Sequence, residues 1–235
     1  YLGYLNRSAS VKKLIKTLKN IWSIEELRSK ILFTLALIFI YRIGAHIVLP
    51  GIDPDGIQAS MANSKKGILG LIDTIAGGAF SQASIFALGI MPYISSSIIV
   101  QLLTFAVPYF QKLQKEGESG RKRLNQITRV LTIFITGFQA YGYIKGTIDP
   151  NAVIYPGVFF YFTSIAILIA GTMFCMWLGE RITDKGIGNG ISMLFMIGIV
   201  SRFPAAVLDE AINNRGMSGA LLFVIELFAL FGVIM

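Results

Sequence analysis

The chain is a succession of long apolar runs divided by short basic clusters. A membrane-crossing helix needs roughly 20 mostly apolar residues to cover a hydrocarbon core about 30 Å thick. Six runs are candidates. They are 31–49, interrupted by Arg42 and His46; a stretch within 74–111; 127–144; a stretch within 152–179; 187–207, with Arg202 near its end; and a last run from about residue 218 to Met235. The last run has one charge, Glu226, and no basic flank after it, so the chain is expected to continue past Met235.

One run is too long for a single crossing. Residues 67–110 number 44 and carry one charge, Asp73. As one straight helix they would extend about 66 Å, roughly twice a bilayer core. The helix must break, and paired glycines at Gly77-Gly78 are the weakest place for it. This predicts a short helix over about 67–76 and a full span over about 83–107. The short piece reaches only about 15 Å. It cannot cross, so it is re-entrant or interfacial. Irregular backbone at membrane depth survives only where protein or a water-filled cavity surrounds it. A half-helix that dips in and turns back therefore points to a pore.

The span after the break is uncharged but not oily, with Ser95, Ser96, Ser97, Gln101, Thr104 and a helix-bending Pro92. The fifth run opens with Gly186-Ile187-Gly188-Asn189-Gly190 and continues with Ser192. Polar residues in spans face partner helices or a cavity, so these two spans are expected to line an internal space or to pack closely through small residues. The run 159–177 is rich in Phe, Ile and Leu and reads as lipid-facing. Ile90 with Ile94, and Ile191 with Phe195, stand four apart, so each pair shares a helix face. Two readings follow: ordinary apolar packing, or a hydrophobic constriction that seals a pore by dewetting.

Composition strengthens the membrane reading. Of 235 residues, 54% are hydrophobic and 14% charged. A soluble domain carries about 25% charged residues. Mean hydropathy is +0.66. The fold class is therefore an all-α polytopic membrane protein. One cysteine, Cys175, excludes an internal disulfide and a cysteine zinc site, and one histidine, His46, argues against a histidine metal cluster. Cys175 reads as a small apolar filler and His46 as a satisfied interfacial residue. Arg42 is expected to snorkel or pair.

The net charge of +8 is read as topology. Fifteen of the 21 Lys and Arg fall in 1–30, 111–129 and 179–186, which alternate onto one side. Basic residues stay in the cytoplasm, so the N-terminus is cytoplasmic. Residues 1–30 form a cytoplasmic segment in which Lys12, Lys13, Lys16 and Lys19 accompany Leu14, Ile15 and Leu18 in an amphipathic pattern. Ser23-Ile24-Glu25-Glu26 fits a capping box, so a helix is expected to start there. Asn6-Arg7-Ser8 matches a glycosylation sequon but lies on the cytoplasmic side. No phosphate-binding loop and no nucleophile elbow is present, so no enzyme and no cofactor is implied.

The motifs also resemble a known family. Tyr41-Arg42-Ile43-Gly44 with Leu49-Pro50-Gly51-Ile52-Asp53, then Ala83-Ser84-Ile85-Phe86-Ala87-Leu88-Gly89-Ile90-Met91-Pro92-Tyr93-Ile94-Ser95, resemble the first two spans of the SecY family. Lys115-Glu116-Gly117-Glu118-Ser119-Gly120-Arg121 resembles its second-to-third loop. Gly171-Thr172-Met173-Phe174, Met176-Trp177-Leu178-Gly179-Glu180 and Gly186-Ile187-Gly188-Asn189-Gly190-Ile191-Ser192 resemble the end of its fourth span and the start of its fifth. SecY is the channel subunit of the bacterial-type Sec protein translocon.

The resemblance implies an inverted-repeat channel, of which 31–207 would be the first five-helix half and 208–235 a loop and the start of a sixth span. It implies a plug helix over about 67–76, carrying Ile68, Leu69, Leu71, Ile72, Asp73 and Ile75, with Gly77 and Gly78 as hinge. It implies a pore ring of Ile90, Ile94, Ile191 and Phe195, the last an aromatic where the family has an aliphatic residue. Implied partners are SecE and SecG in the membrane, a SecA motor or translating ribosome on the cytoplasmic face, unfolded clients and lipid. Arg121, Lys122 and Arg123 are candidate contacts for such a partner, beside their role as topology anchors. A bacterial inner membrane is the implied location, with a plastid membrane as the alternative. Rival classes are a solute or ion channel, an intramembrane protease drawing on Ser95 to Ser97, and a membrane scaffold. The first rival lacks a charged selectivity site and the second a base near its serine.

Overall fold

The computed structural model describes residues 23–53 and 68–208. Residues 1–22, 54–67 and 209–235 lie outside the described part, and with them the amphipathic segment, the sequon, Gly67 and Glu226.

Helix α1 spans Glu25–Gly44. Ile24, which has no polar side chain to cap with, occupies the cap position, so the helix starts one residue later than the capping box expected at Ser23. Glu25 and Glu26 instead place negative charge in the first turn, where the helix dipole favours it. Glu26 pairs with Lys30 at 2.8 Å, which holds the Glu26 carboxyl below its ordinary range. The pair is exposed, so it adds little stability. The helix stops at Gly44, short of the expected 49. The chain beyond it is committed elsewhere: Leu49 N–H donates to Ala83 O at 2.9 Å, and Ile85 N–H donates to Ile47 O at 2.9 Å.

Helix α2 spans Ile68–Ile75. The next helix, α3, spans Met91–Ala106, so the span expected from residue 83 begins eight residues later. Residues 76–90 are irregular and mostly buried. Gly77, Gly78, Ala83 and Gly89 all have positive φ, which a continuous helix excludes. Buried backbone must be paired. Here Ser84 N–H reaches Ala79 O at 3.1 Å, Gly89 N–H reaches Phe86 O at 2.8 Å, and Tyr143 Oη donates to Phe80 O at 2.7 Å. Pro92 stands in the first turn of α3, where it starts the helix rather than bending it.

Helix α4, Pro108–Lys115, turns 99° away from α3. Pro108 forces Val107 into extended backbone (φ −114°, ψ 122°), which ends α3. Helix α5, Glu118–Thr147, doubles back over α4. Gly120 makes this crossing possible, since a Cβ there would lie 1.7 Å from Leu113 O. Three buried threonines stand four apart on α5. Thr128, Thr132 and Thr136 each donate to the carbonyl four residues earlier, at 2.9, 2.7 and 2.6 Å.

Helix α6 spans Val158–Lys185 and is, among the described residues, the one helix long and apolar enough by itself to cross a membrane. The bent pair α3–α4 meets that test only when taken together. The lipid-facing expectation for 159–177 fails on one face. Phe160 is only 7% exposed, and Ser164, Leu168, Gly171, Thr172 and Cys175 are buried with it. Phe159 and Phe162, at 82% and 75% exposed, form the outward side. Phe160 packs over Gly51, whose φ of +87° needs glycine.

Helix α7 spans Gly190–Leu208. Asn189 caps it: its Oδ1 accepts from Ile191 N–H at 3.1 Å and Ser192 N–H at 3.2 Å. A Cβ at Gly190 would lie 2.0 Å from Gly179 O, so α7 leaves α6 in direct backbone contact. The glycine-rich stretch is thus a helix-to-helix corner. Helix α5 packs on α3 and α6, α6 on α1 and α7, and α7 on α2. Two isolated bridges, Val48 with Ser84 and Ile52 with Val153, tie the loops together.

Candidate functional site

The four apolar residues expected to form a ring share one cluster. Ile90 is buried at its centre with Leu178, Ile182 and Leu194, and Ile94, Ile191 and Phe195 are half-buried against it. Ile90 sits at the cap position of α3 and Ile94 one turn later; Ile191 and Phe195 lie on the first turns of α7. Ile94, Ile191 and Phe195 line a cavity of about 450 Å³ together with Ser192, Met196 and Val200. Ile90 packs behind this wall and does not line it. The cavity wall is almost wholly apolar, with Ser192 its one polar side chain among the described residues.

The serines and threonine of α3 do not line this cavity. Ser95 donates to Met91 O at 3.2 Å, Ser96 to Pro92 O at 2.8 Å and Thr104 to Gln101 O at 2.6 Å. Their hydroxyls are satisfied within their own helix. No serine–base pair is formed there, and His46 instead contacts Arg42 O through Nδ1 at 2.9 Å. Among the described residues, no group of three or more His, Cys, Asp and Glu gathers as a metal site would.

Helix α2 is the short re-entrant candidate. Ile68 and Leu69 form its first turn. Asp73 is buried, Ile72 and Ile75 are half-buried, and Leu71 is exposed. Ile72 lines a second cavity of about 360 Å³ with Phe80, Leu88, Gln139 and Tyr143. Gly77 and Gly78 follow directly, with φ of +65° and +89°. Both glycines are needed twice over: a Cβ at Gly77 would lie 2.9 Å from Arg42 Nη1, and one at Gly78 would lie 2.9 Å from Arg202 Nε.

Sequence reasoning missed the polar contacts around α2. Arg202 of α7 forms an ion pair with Asp73 and donates to Ser81 Oγ at 2.9 Å. Arg42 of α1 donates to Gly77 O at 3.2 Å. Arg202 is thus more than a flanking charge. The signal was present: Asp73 is the sole charge of residues 67–110 and Arg202 the sole charge of 187–207. Two lone opposite charges in apolar segments have strong reason to meet.

Arg121, Lys122 and Arg123 lie together on the exposed first turns of α5. Lys122 pairs with Glu118 at 3.0 Å. Further along, Arg129 of α5 pairs with Glu180 of α6 at 2.7 Å.

A model of the SecY family matches residues 84–235. The chain is 43% identical over 230 residues to a protein translocase subunit SecY of Buchnera aphidicola, covering 95% of this chain and 52% of that one. It is 46% identical over 188 residues to the corresponding subunit of Escherichia coli K12, covering 77% and 42%. It spans about half the length of the curated relatives it matches. A solved structure of a protein-conducting channel superposes with a TM-score of 0.56 at 20% identity, over 85% of this chain and 41% of that one. That likeness concerns the fold alone, an all-helical architecture. With the family model covering well over half of the sequence and close relatives spanning nearly all of it, this chain belongs to the SecY family.

Proposed function

We propose that this chain is the first half of a protein-conducting channel subunit, with spans one to five in 31–207 and the start of a sixth in 208–235. It carries unfolded secretory polypeptides across a membrane and releases transmembrane helices sideways into lipid. The observation that carries this reading is the apolar wall of Ile94, Ile191 and Phe195 over one cavity, with Ile90 packed behind it. A client of any sequence cannot be held by specific hydrogen bonds. Apolar side chains grip it weakly and resist the passage of ions by dewetting. A sufficiently apolar client segment then partitions into lipid. The chain acts as a channel and catalyses no bond chemistry.

Helix α2 is the plug in this reading, with Gly77 and Gly78 as the hinge on which it leaves. SecE and SecG are the membrane partners, and SecA or a translating ribosome supplies the energy from the cytoplasmic face. Arg121, Lys122 and Arg123, all exposed on the first turns of α5, are offered to that cytoplasmic partner. The location is the bacterial inner membrane with the N-terminus cytoplasmic.

Site-specific photo-crosslinking in the full-length protein tests the reading. A probe at Ile94 is expected to capture an arrested secretory chain. The control is Phe159, which is 82% exposed on the outer side of α6. Capture at Ile94 and not at Phe159 supports a pore. An engaged client that ignores Ile94 would return the apolar cluster to ordinary packing.

A further inference from the structure

The plug reading leaves open what holds α2 in place. Ile72 packs against the core, whereas Leu71 is 66% exposed. Its polar contacts are dense. Asp73 Oδ1 accepts Ser81 N–H at 2.7 Å, and Asp73 Oδ2 takes the Arg202 guanidinium. The same Arg202 Nη2 donates to Ser81 Oγ, and Ser81 Oγ donates to Gly78 O at 3.2 Å. Asp73 is 8% exposed and the Arg202 side chain 31%. Helix α7 also meets α2 without side chains between them, since a Cβ at Gly198 would lie 2.4 Å from Ile75 O. From the other flank Arg42 holds Gly77 O. Two cations, from α1 and α7, thus converge on the junction between α2 and the turn that follows it.

Resting on the plug reading, we infer that Asp73 and Arg202 form an ionic latch that keeps α2 closed against α7. The carboxylate also holds the backbone of Ser81, so one side chain fixes both the helix and the turn behind it. Moving α2 away would strip Arg202 of its partner in a poorly solvated place, which opposes opening. The latch is released when α2 swings on Gly77-Gly78 and Arg202 finds water or another anion. The resting seal is therefore set by a charge pair between two separate helices, in addition to the apolar ring.

The test uses the full-length channel with its membrane partners in planar bilayers, without client. Variants are D73N, R202Q, R202K and D73N with R202Q, beside a deletion of residues 68–75. D73N keeps an oxygen for Ser81 N–H and removes only the charge. By population shift, D73N and R202Q are each expected to raise resting ion conductance about tenfold. R202K, which keeps the charge, is expected to stay within about twofold of wild type by the same reckoning. The double variant should leak no more than either single one, because the pair can be broken only once. Client translocation, measured in parallel, shows which variants assemble. A deletion that leaks while D73N and R202Q stay tight overturns the latch and spares the plug. Additive leakage in the double variant overturns the latch as well. A deletion that does not leak overturns the plug reading and the latch with it.

Discussion

Gly171 is where helix α6 meets the irregular segment, and adding one methyl group there tests the fold most directly. A Cβ at this position would lie 2.1 Å from Ile85 O and 3.2 Å from Phe86 Cδ1. Ordinary contact begins at 3.4 Å, so the carbonyl must retreat by more than an ångström. Ile85 cannot retreat cheaply, because its N–H is tied to Ile47 O at 2.9 Å and Phe86 is stacked between Tyr41 and Phe174. Overpacking of this kind costs about 1–3 kcal/mol, and a backbone obstacle puts G171A at the upper end. At about 3 kcal/mol the packed state loses some two powers of ten in its equilibrium. Gly142, on α5, is the internal control, as its Cβ would meet nothing within 4 Å. G142A should gain about 0.5–1 kcal/mol from lost backbone freedom in the unfolded chain. Both variants are made in the full-length protein, and the fraction left monodisperse in detergent is followed against temperature. The expected order is G142A at or above wild type, with G171A well below both. A G171A variant that melts with wild type would show that α6 does not rest on the Ile85 backbone.

Two further outcomes use the same material. Y143F should lower the melting midpoint modestly, because the buried Phe80 carbonyl loses its donor at 2.7 Å and keeps only Ala83 N–H at 3.3 Å, a loss of about 0.5–1.5 kcal/mol; an unchanged midpoint would mean that the Ala83 bond alone satisfies the carbonyl. Cys175 is fully buried, so its peptide should take up maleimide at least about a hundredfold more slowly in the folded protein than in denaturant. Fast labelling in the fold would mean that α6 is turned about its axis.

How far the sequence spoke depended on which physical signal each region carried. The break at Gly77-Gly78 was legible, because a 44-residue apolar run has no other way to fit a bilayer. The shift of the helix start from residue 83 to Met91 was not. Residues 83–90 are Ala, Ser, Ile, Phe, Leu and Gly, a composition that suits a helix, and their irregular path is imposed by partners distant in sequence, Ile47 and Ala83 with Leu49 among them. The buried face of α6 was hidden for a different reason. Lipid tails are as apolar as a protein core, so hydropathy cannot say which side of a span faces inward. The clue lay in the small and polar residues that fall on that face, Ser164, Gly171, Thr172 and Cys175, and not in the count of aromatics. The four-residue spacing made the two apolar pairs legible as shared helix faces, but that Ile90 packs behind the cavity wall while Ile94 forms it depends on where α3 begins.

The threonine stripe of α5 has a mechanical meaning. Each of Thr128, Thr132 and Thr136 spends its hydroxyl on its own helix, so that stripe exchanges no hydrogen bonds with the elements it touches. The contact at that depth is smooth and non-directional, and a small slide or tilt of α5 breaks no polar bond of the stripe. The Arg129–Glu180 pair fastens α5 to α6 near one end of that stretch. Tyr143 fastens the other end to Phe80 O, so α5 is a rod held at both ends and lubricated along its middle: it can bow or turn slightly between its anchors without breaking either.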